Sequence, residues 1–344
     1  FRADQVFQWL HLKRVLNFDE MTNLSKSLRD KMALNAVISA PQIESVQQSN
    51  DGTRKYQLRT FDNYMIEAVF IPNASSEGRN TLCISSQVGC AMGCRFCATA
   101  AIKLKRHLTS GEIAAQLYIV LNDLENHGYK IDKEKPHAQH VIGNLVYMGM
   151  GEPLHNVDSV IGSVRLIGHE KGLNYSPKRI TVSTSGLVKN MLKLGDETDV
   201  QLAVSLNATT DEVRDKVMPV NRKWKIKDLL DACRSFPLKA GRRVTFEYVM
   251  LAGVNDTDDD AKRLVRLMRG LKSKINLIPF NPHPLSPYKR PSQERVLEFQ
   301  RIVSDAGFSV FIRTTRGDDI DAACGMLGGD KLKDVRTEDL VSIS

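Results

Sequence analysis

The chain has no run of about 18 uninterrupted apolar residues, so a membrane-spanning helix is not expected. No secretory signal opens it, and it begins at Phe1 rather than Met, as a segment inside a longer chain would. No internal repeat or low-complexity tract occurs. A secreted disulfide framework is also missing, because three of the 6 cysteines crowd into one short loop. These absences leave metal or redox work in a reducing cytoplasm as the expectation. With 344 residues, 42% of them hydrophobic, the chain can bury a large core. The usual length per domain suggests roughly two domains, although one α/β barrel can use most of such a length.

Charge adds a mild pointer. The formal net charge of +8 and isoelectric point near 9.1 favour an anionic partner. Lys103, Lys105, Arg106 and His107 form one basic cluster, and residues 221–227 place Trp224 among Arg222, Lys223, Lys225 and Lys227. Arg242 and Arg243 form a third. Phosphate contacts with an occasional stacking aromatic have this composition, as does any ordinary solvated basic surface.

Residues 1–43 read as a separate helical accessory segment. Val6, Phe7, Leu10 and Val15 give an amphipathic pattern, and Asn23 or Ser25 is placed to cap a second helix. Residues 44–79 change to strands, with Ser49-Asn50-Asp51-Gly52 as a hairpin turn. Alternation puts Met65, Glu67, Val69 and Ile71 on one strand face, where Glu67 is either solvent-facing or a buried acid or base. The polar residues 73–79 close this β extension. From residue 80 strand and helix patterns alternate, with a capping box at Thr109 to Glu112 and a polar insertion over 126–139 that carries His137; His140 follows it. About six βα units follow Thr81, which implies a parallel sheet, covered on both faces or rolled toward a barrel. The unusual loops fall at strand carboxyl ends, where such folds gather their chemistry.

Cys90-Ala91-Met92-Gly93-Cys94-Arg95-Phe96-Cys97 spaces three thiols as C-x₃-C-x₂-C. Three ligands do not close a four-ligand site. A structural zinc would need a fourth, such as Cys83 or a distant His. A four-iron cluster needs none, and keeps one iron open to a small chelating molecule. S-adenosylmethionine can chelate through its amino and carboxylate groups, and Gly151 and Glu152 suit close backbone approach and acceptance of hydrogen bonds from that amine.

The cysteine loop matches the radical S-adenosylmethionine motif. Within that superfamily the chain resembles the RlmN/Cfr family of RNA methyltransferases over nearly its whole length. The matching stretches are Ser85-Ser86-Gln87-Val88-Gly89-Cys90, Met148-Gly149-Met150-Gly151-Glu152-Pro153, Ser183-Thr184-Ser185-Gly186, Lys274-Ile275-Asn276-Leu277-Ile278-Pro279, and Arg316-Gly317-Asp318-Asp319-Ile320-Asp321-Ala322-Ala323-Cys324-Gly325. Pro153 favours the branch that methylates adenine C2 over the branch that methylates C8, whose members tend to carry Ala there.

The resemblance implies a partial (β/α)₆ radical-SAM barrel over residues 80–344, with a [4Fe-4S] cluster on Cys90, Cys94 and Cys97. It implies methylation of adenine C2 in 23S rRNA and in certain tRNAs, by a pair of thiols, Cys83 and Cys324, placed at strand ends around one mouth. In the family mechanism Cys324 takes a methyl group from one S-adenosylmethionine, and a radical from a second activates it for addition to C2. Glu67 is then the proton acceptor, and Cys83 resolves the adduct through a transient disulfide with Cys324. Gly151, Glu152, Ser183, Ser205, Leu206, Asn207 and Asn281 are the implied S-adenosylmethionine contacts. A flavodoxin-type reductant, a monomer and a cytoplasmic location are expected with it. Asn207 and Met326 depart from the residues common in relatives, which are His and Gln. Cys233, in a Leu229–Leu230–Cys233–Phe236 stripe, reads as core. A C8 methyltransferase and a zinc-stabilised RNA-binding protein without activity are the competing readings.

Overall fold

The computed structural model describes residues 1–73, 79–131 and 141–328. His137 and His140 lie outside the described residues. Strands are β1 Gln42–Gln48, β2 Arg54–Arg59, β3 Met65–Ile71, β4 Thr81–Cys83, β5 Gln87–Val88, β6 Arg106–His107, β7 Asn144–Tyr147, β8 Ile180–Thr184, β9 Gln201–Ser205, β10 Val244–Met250, β11 Ser273–Pro279 and β12 Val310–Ile312. Helices are α1 Arg2–His11, α2 Lys26–Asn35, α3 Ser110–Asn126, α4 Val157–Gly168, α5 Val188–Glu197, α6 Asp211–Val217, α7 Ile226–Ser235, α8 Asp258–Met268 and α9 Gln293–Asp305.

Ten strands make one sheet in the order β1-β2-β3-β4-β7-β8-β9-β10-β11-β12. From β4 onward every neighbour is parallel, and six crossovers join seven strands. The crossover helices bury apolar faces such as Ile113, Leu117 and Leu121 of α3, against strands such as β7, whose Leu145 and Tyr147 are fully buried. The opposite strand face is polar and half-exposed: Thr181 and Ser183 of β8, Gln201 and Ser205 of β9, Lys274 and Asn276 of β11. The helices cover the apolar face, and Thr181, Ser183, Gln201, Ser205 and Lys274 of the polar face line one lumen. The sheet does not close, because β12 pairs only with β11.

The antiparallel β1–β3 extension is part of the same sheet, since β3 pairs with β4 in the register Val69↔Cys83. Its Ser49–Gly52 turn forms as expected, with Gly52 at φ +83°. The N-terminal helices have their own small core of Val15, Met21 and Leu24. They dock on α3 through Arg14, which is 1% exposed and donates from Nε to Asn122 Oδ1 at 3.0 Å. Ser25, the second of the two expected caps, accepts from Leu28 N. The Thr109 capping box forms in both directions.

Candidate active site

β4 stops at Cys83, and the chain then builds a β5–β6 ribbon around the cysteine loop. Gly89 makes this turn possible: it has φ +74°, and a Cβ there would lie 2.4 Å from the Lys103 carbonyl oxygen. Cys97 N donates to Cys94 O at 3.1 Å, and Arg95 N donates to Val217 O at 3.0 Å, so the loop is tied both to itself and to the end of α6. The three thiols consequently face one cavity of about 600 Å³ at the carboxyl end of the lumen.

Burial pushes all three thiol pKa values up, Cys90 to about 12, and the charge of each neighbour raises Cys94 further. Three thiolates are unfavourable here without a compensating cation, which an iron centre would supply. A structural zinc takes four protein ligands, whereas three thiols suffice for a four-iron cluster that leaves one iron to a small chelating molecule. Beside the thiols, the buried Ser185 Oγ makes no well-formed hydrogen bond among the described residues and approaches only the Glu152 carboxylate, so it is placed to meet a polar ligand in this cavity. The donor set therefore fits a cluster with an amino-acid chelate better than zinc.

Gly151, Glu152, Ser183, Ser205 and Asn281 line the same cavity. Glu152 is 4% exposed; its Oε2 accepts from Ser185 N at 2.7 Å and its Oε1 from Leu154 N at 3.0 Å. Burial raises its pKa while these N–H groups oppose the shift. Each oxygen keeps a lone pair for a further donor. Gly151, at φ +98°, is explained by its neighbour: a Cβ would sit 2.5 Å from Gln87 Cβ. Asn281 is partly committed, since its Nδ2 donates to Cys324 O at 3.1 Å and its Oδ1 accepts from Thr315 Oγ1. Leu206 and Asn207 are fully buried and lie outside the lining. The Asn207 side chain accepts from Val249 N at 2.7 Å and donates to Met218 Sδ at 3.2 Å.

Cys83 and Cys324, remote in sequence, lie within electrostatic reach of one another. Burial pushes Cys83 up to about 12, and the nearby Cys324 charge adds to that rise. Cys324 is not at a strand end, contrary to expectation; it lies in the loop after β12, which reaches the β1–β2 turn and Glu67 of β3. It is in contact with solvent yet surrounded by protein, because it projects into the cavity. Its pKa is pushed to about 11 by burial, then by Glu247, with Arg313 pulling it down. Glu67, 5% exposed, is a buried acid rather than a solvent-facing one. The β3–β4 register puts it on the face of Val69 and Cys83. Its Oε2 accepts from Gly328 N at 2.8 Å, so it holds the far end of the Cys324 loop.

Three features lay beyond sequence reasoning. Arg214 is 1% exposed and donates to Leu206 O, Ser185 O, Ser205 O and Asn221 Oδ1 at 2.7–3.0 Å, tying the ends of β8 and β9 together. Glu247, Asn276 and Arg313 sit on the lumen side near Cys324. The β1–β2 turn grips the Cys324 loop, with Gly317 N donating to Asp51 Oδ2 and Asn50 N to Asp319 Oδ2, both at 3.1 Å. A basic residue seven positions before Asn221 carries no signal of its own. The Asp51 contact joins segments far apart in the chain.

This fold, with three thiols at the carboxyl end of a partial barrel, defines a radical S-adenosylmethionine protein, and residues 84–268 match the Radical SAM superfamily. Residues 1–38 match the ribosomal RNA large subunit methyltransferase N-terminal domain. The chain is 50% identical over 329 residues to the dual-specificity RNA methyltransferase RlmN of Geobacter sulfurreducens, covering 96% of this chain and 86% of that one. It is 48% identical to RlmN 2 of Myxococcus xanthus, over 95% of this chain and 84% of the relative. The crystal structure of a radical SAM methyltransferase from Sphaerobacter thermophilus superposes with a TM-score of 0.87 at 42% identity, covering 95% of this chain and 92% of that one. The chain belongs to the RlmN family of radical SAM RNA methyltransferases. A [4Fe-4S] cluster and S-adenosylmethionine come with that membership.

Proposed function

We propose that the chain methylates C2 of adenine in RNA, with 23S rRNA and tRNAs carrying adenine beside the anticodon as substrates, through a methylated Cys324. The observation that supports this reading is that Cys324, remote in sequence from the cysteine loop, lines the same cavity as Cys90, Cys94 and Cys97, with Cys83 near enough to feel its charge. Adenine C2 is electron-poor, so it is not a nucleophile toward a sulfonium methyl group, and a cysteine carrier solves that problem.

Cys90, Cys94 and Cys97 hold the cluster, and Gly151, Glu152, Ser183, Ser205 and Asn281 cradle S-adenosylmethionine; Leu206 and Asn207 support that wall from behind. When bound, the cluster and S-adenosylmethionine supply one-electron chemistry that makes a carbon radical. The chain's own residues do the rest. Cys324 must lose a proton to accept the methyl group, and Arg313 favours the thiolate against burial. Glu67 takes the C2 proton, from a position already fixed by Gly328 N. The Cys83 thiolate attacks Cys324 sulfur; the carbon–sulfur bond pair passes to the product carbon, which takes up a proton to become the methyl group, and once the adduct has given up its unpaired electron a Cys83–Cys324 disulfide is left. A flavodoxin-type donor returns the two electrons. The chain works as a monomer in the cytoplasm, where the reduced thiols persist.

In vitro methylation of rRNA and tRNA fragments by reconstituted protein, with nuclease digestion and mass spectrometry, tests the reading. Methyl at C2 is expected. Methyl at C8, or a colourless zinc protein without activity, would overturn it.

A further inference from the structure

The basic clusters separate once folded. Arg106 commits its guanidinium to Asp62 and Glu112, with bonds of 2.6–2.9 Å. Trp224 is half-buried against the core, with Lys223 Nζ 4.6 Å from its ring centroid, and Lys225 pairs with Asp215 at 2.9 Å. Neither cluster offers an open aromatic among cations. Arg243, of the third cluster, donates to Ser309 Oγ just before β12.

That combination occurs at the open edge of the sheet. The register runs Ser205↔Glu247, Glu247↔Asn276 and Asn276↔Phe311, and directly paired residues share a face. Phe311 therefore stands on the lumen side of edge strand β12. Its neighbours Val310 and Ile312 pack on the core, whereas Phe311 is 53% exposed. Lys274, Arg313 and Arg316 line the cavity at this side. Neither Lys274 nor Arg313 forms an ion pair with a described residue, and Arg316 reaches Asp51 only at 3.7 Å. The entrance leads to the reacting thiols, because Arg313 is near enough to lower the pKa of both Cys83 and Cys324.

We propose that substrate RNA docks across this open edge, with an unpaired base stacked on Phe311 and backbone phosphates held by Lys274, Arg313 and Arg316. The proposal rests on the RNA methyltransferase reading and adds the face by which RNA enters. An exposed ring accepts any base, while cations whose acidic neighbours are the buried Glu247 and, for Arg316, Asp51 at 3.7 Å keep donors for phosphate. Lys103 and Lys105 lie instead beyond the carboxyl end of β4, beside the cysteine loop, and take no part.

The test is fluorescence anisotropy of a labelled RNA stem-loop with an unpaired loop adenine, titrated with the chain over a salt series. Phe311→Ala is expected to weaken binding roughly 5- to 100-fold at fixed salt with an unchanged salt slope, and Phe311→Tyr to restore it. Lys274→Gln is expected to reduce the slope of log K against log salt by about 0.7–0.9. Lys103→Gln and Lys105→Gln should change neither. Wild-type affinity in Phe311→Ala, or a salt slope carried by Lys103 and Lys105, overturns the docking face alone. A wild-type chain that does not bind the RNA overturns the RNA methyltransferase reading as well.

Discussion

Arg214→Met removes one cation and leaves four acceptors behind. Leu206 O, Ser185 O, Ser205 O and Asn221 Oδ1 all take hydrogen bonds from its guanidinium, which is 1% exposed and whose pKa burial lowers to about 10. Each buried acceptor left without a donor costs about 1–3 kcal/mol, while losing the buried cation returns part of its desolvation penalty. A net loss of about 3–5 kcal/mol is the outcome for breaking such a buried charged network. With about 2.1 cal/mol/K of unfolding entropy per residue, 344 residues give about 0.7 kcal/mol/K, so the apparent Tm should fall by about 4–7 °C. The carbonyls it holds belong to the strand ends that line the cavity, so S-adenosylmethionine affinity should drop at least about tenfold. Arg214→Lys should recover little, because a point charge on a flexible stem cannot fork to four acceptors. Differential scanning calorimetry and equilibrium binding to reconstituted protein measure both. A Tm change under about 1 °C with unaltered affinity would refute the reasoning.

Other substitutions test other parts of the site. Asp51 has its carboxyl lowered to about 2 by bonds from Thr53 and Gly317 working against partial burial. Its stabilisation is therefore complete above the unfolded value and is lost as pH falls through about 2; with the side chain 28% exposed it amounts to about 1–2 kcal/mol. Asp51→Asn should lower the urea midpoint at pH 7, and the gap from wild type should narrow from about pH 4 downward; a gap independent of pH contradicts the assignment. Gly151→Ala meets both a positive φ and the Gln87 side chain, at a combined cost of about 2–4 kcal/mol. The chain should fold but lose S-adenosylmethionine binding, and normal affinity by calorimetry would show that the turn tolerates a Cβ. Cys83→Ala should trap RNA on Cys324, seen as a retarded band in denaturing gels; free, correctly methylated RNA at normal rates would remove Cys83 from the resolving role.

The sequence by itself determined the alternation that builds the parallel sheet, because apolar periodicity, capping boxes and turn residues act over a few neighbours. It also displayed the three-thiol loop, since all its ligands lie within one short stretch, and motif matches named the family. It leaves open whatever depends on distant partners. The basic clusters fit phosphate contacts and an ordinary solvated surface equally, and in the fold Asp62 and Glu112 take Arg106 while Trp224 packs against the core. Cys324 was placed at a strand end, yet it rides a loop held by Asp51, Glu67 and Asn281. The tertiary structure decided the placing of Cys324 in the three-thiol cavity within electrostatic reach of Cys83, the Arg214 tie and the position of Phe311 at the open edge. Each depends on strand register and on chain segments far apart in sequence. Local propensities carry no information about which backbone carbonyl a remote guanidinium will reach.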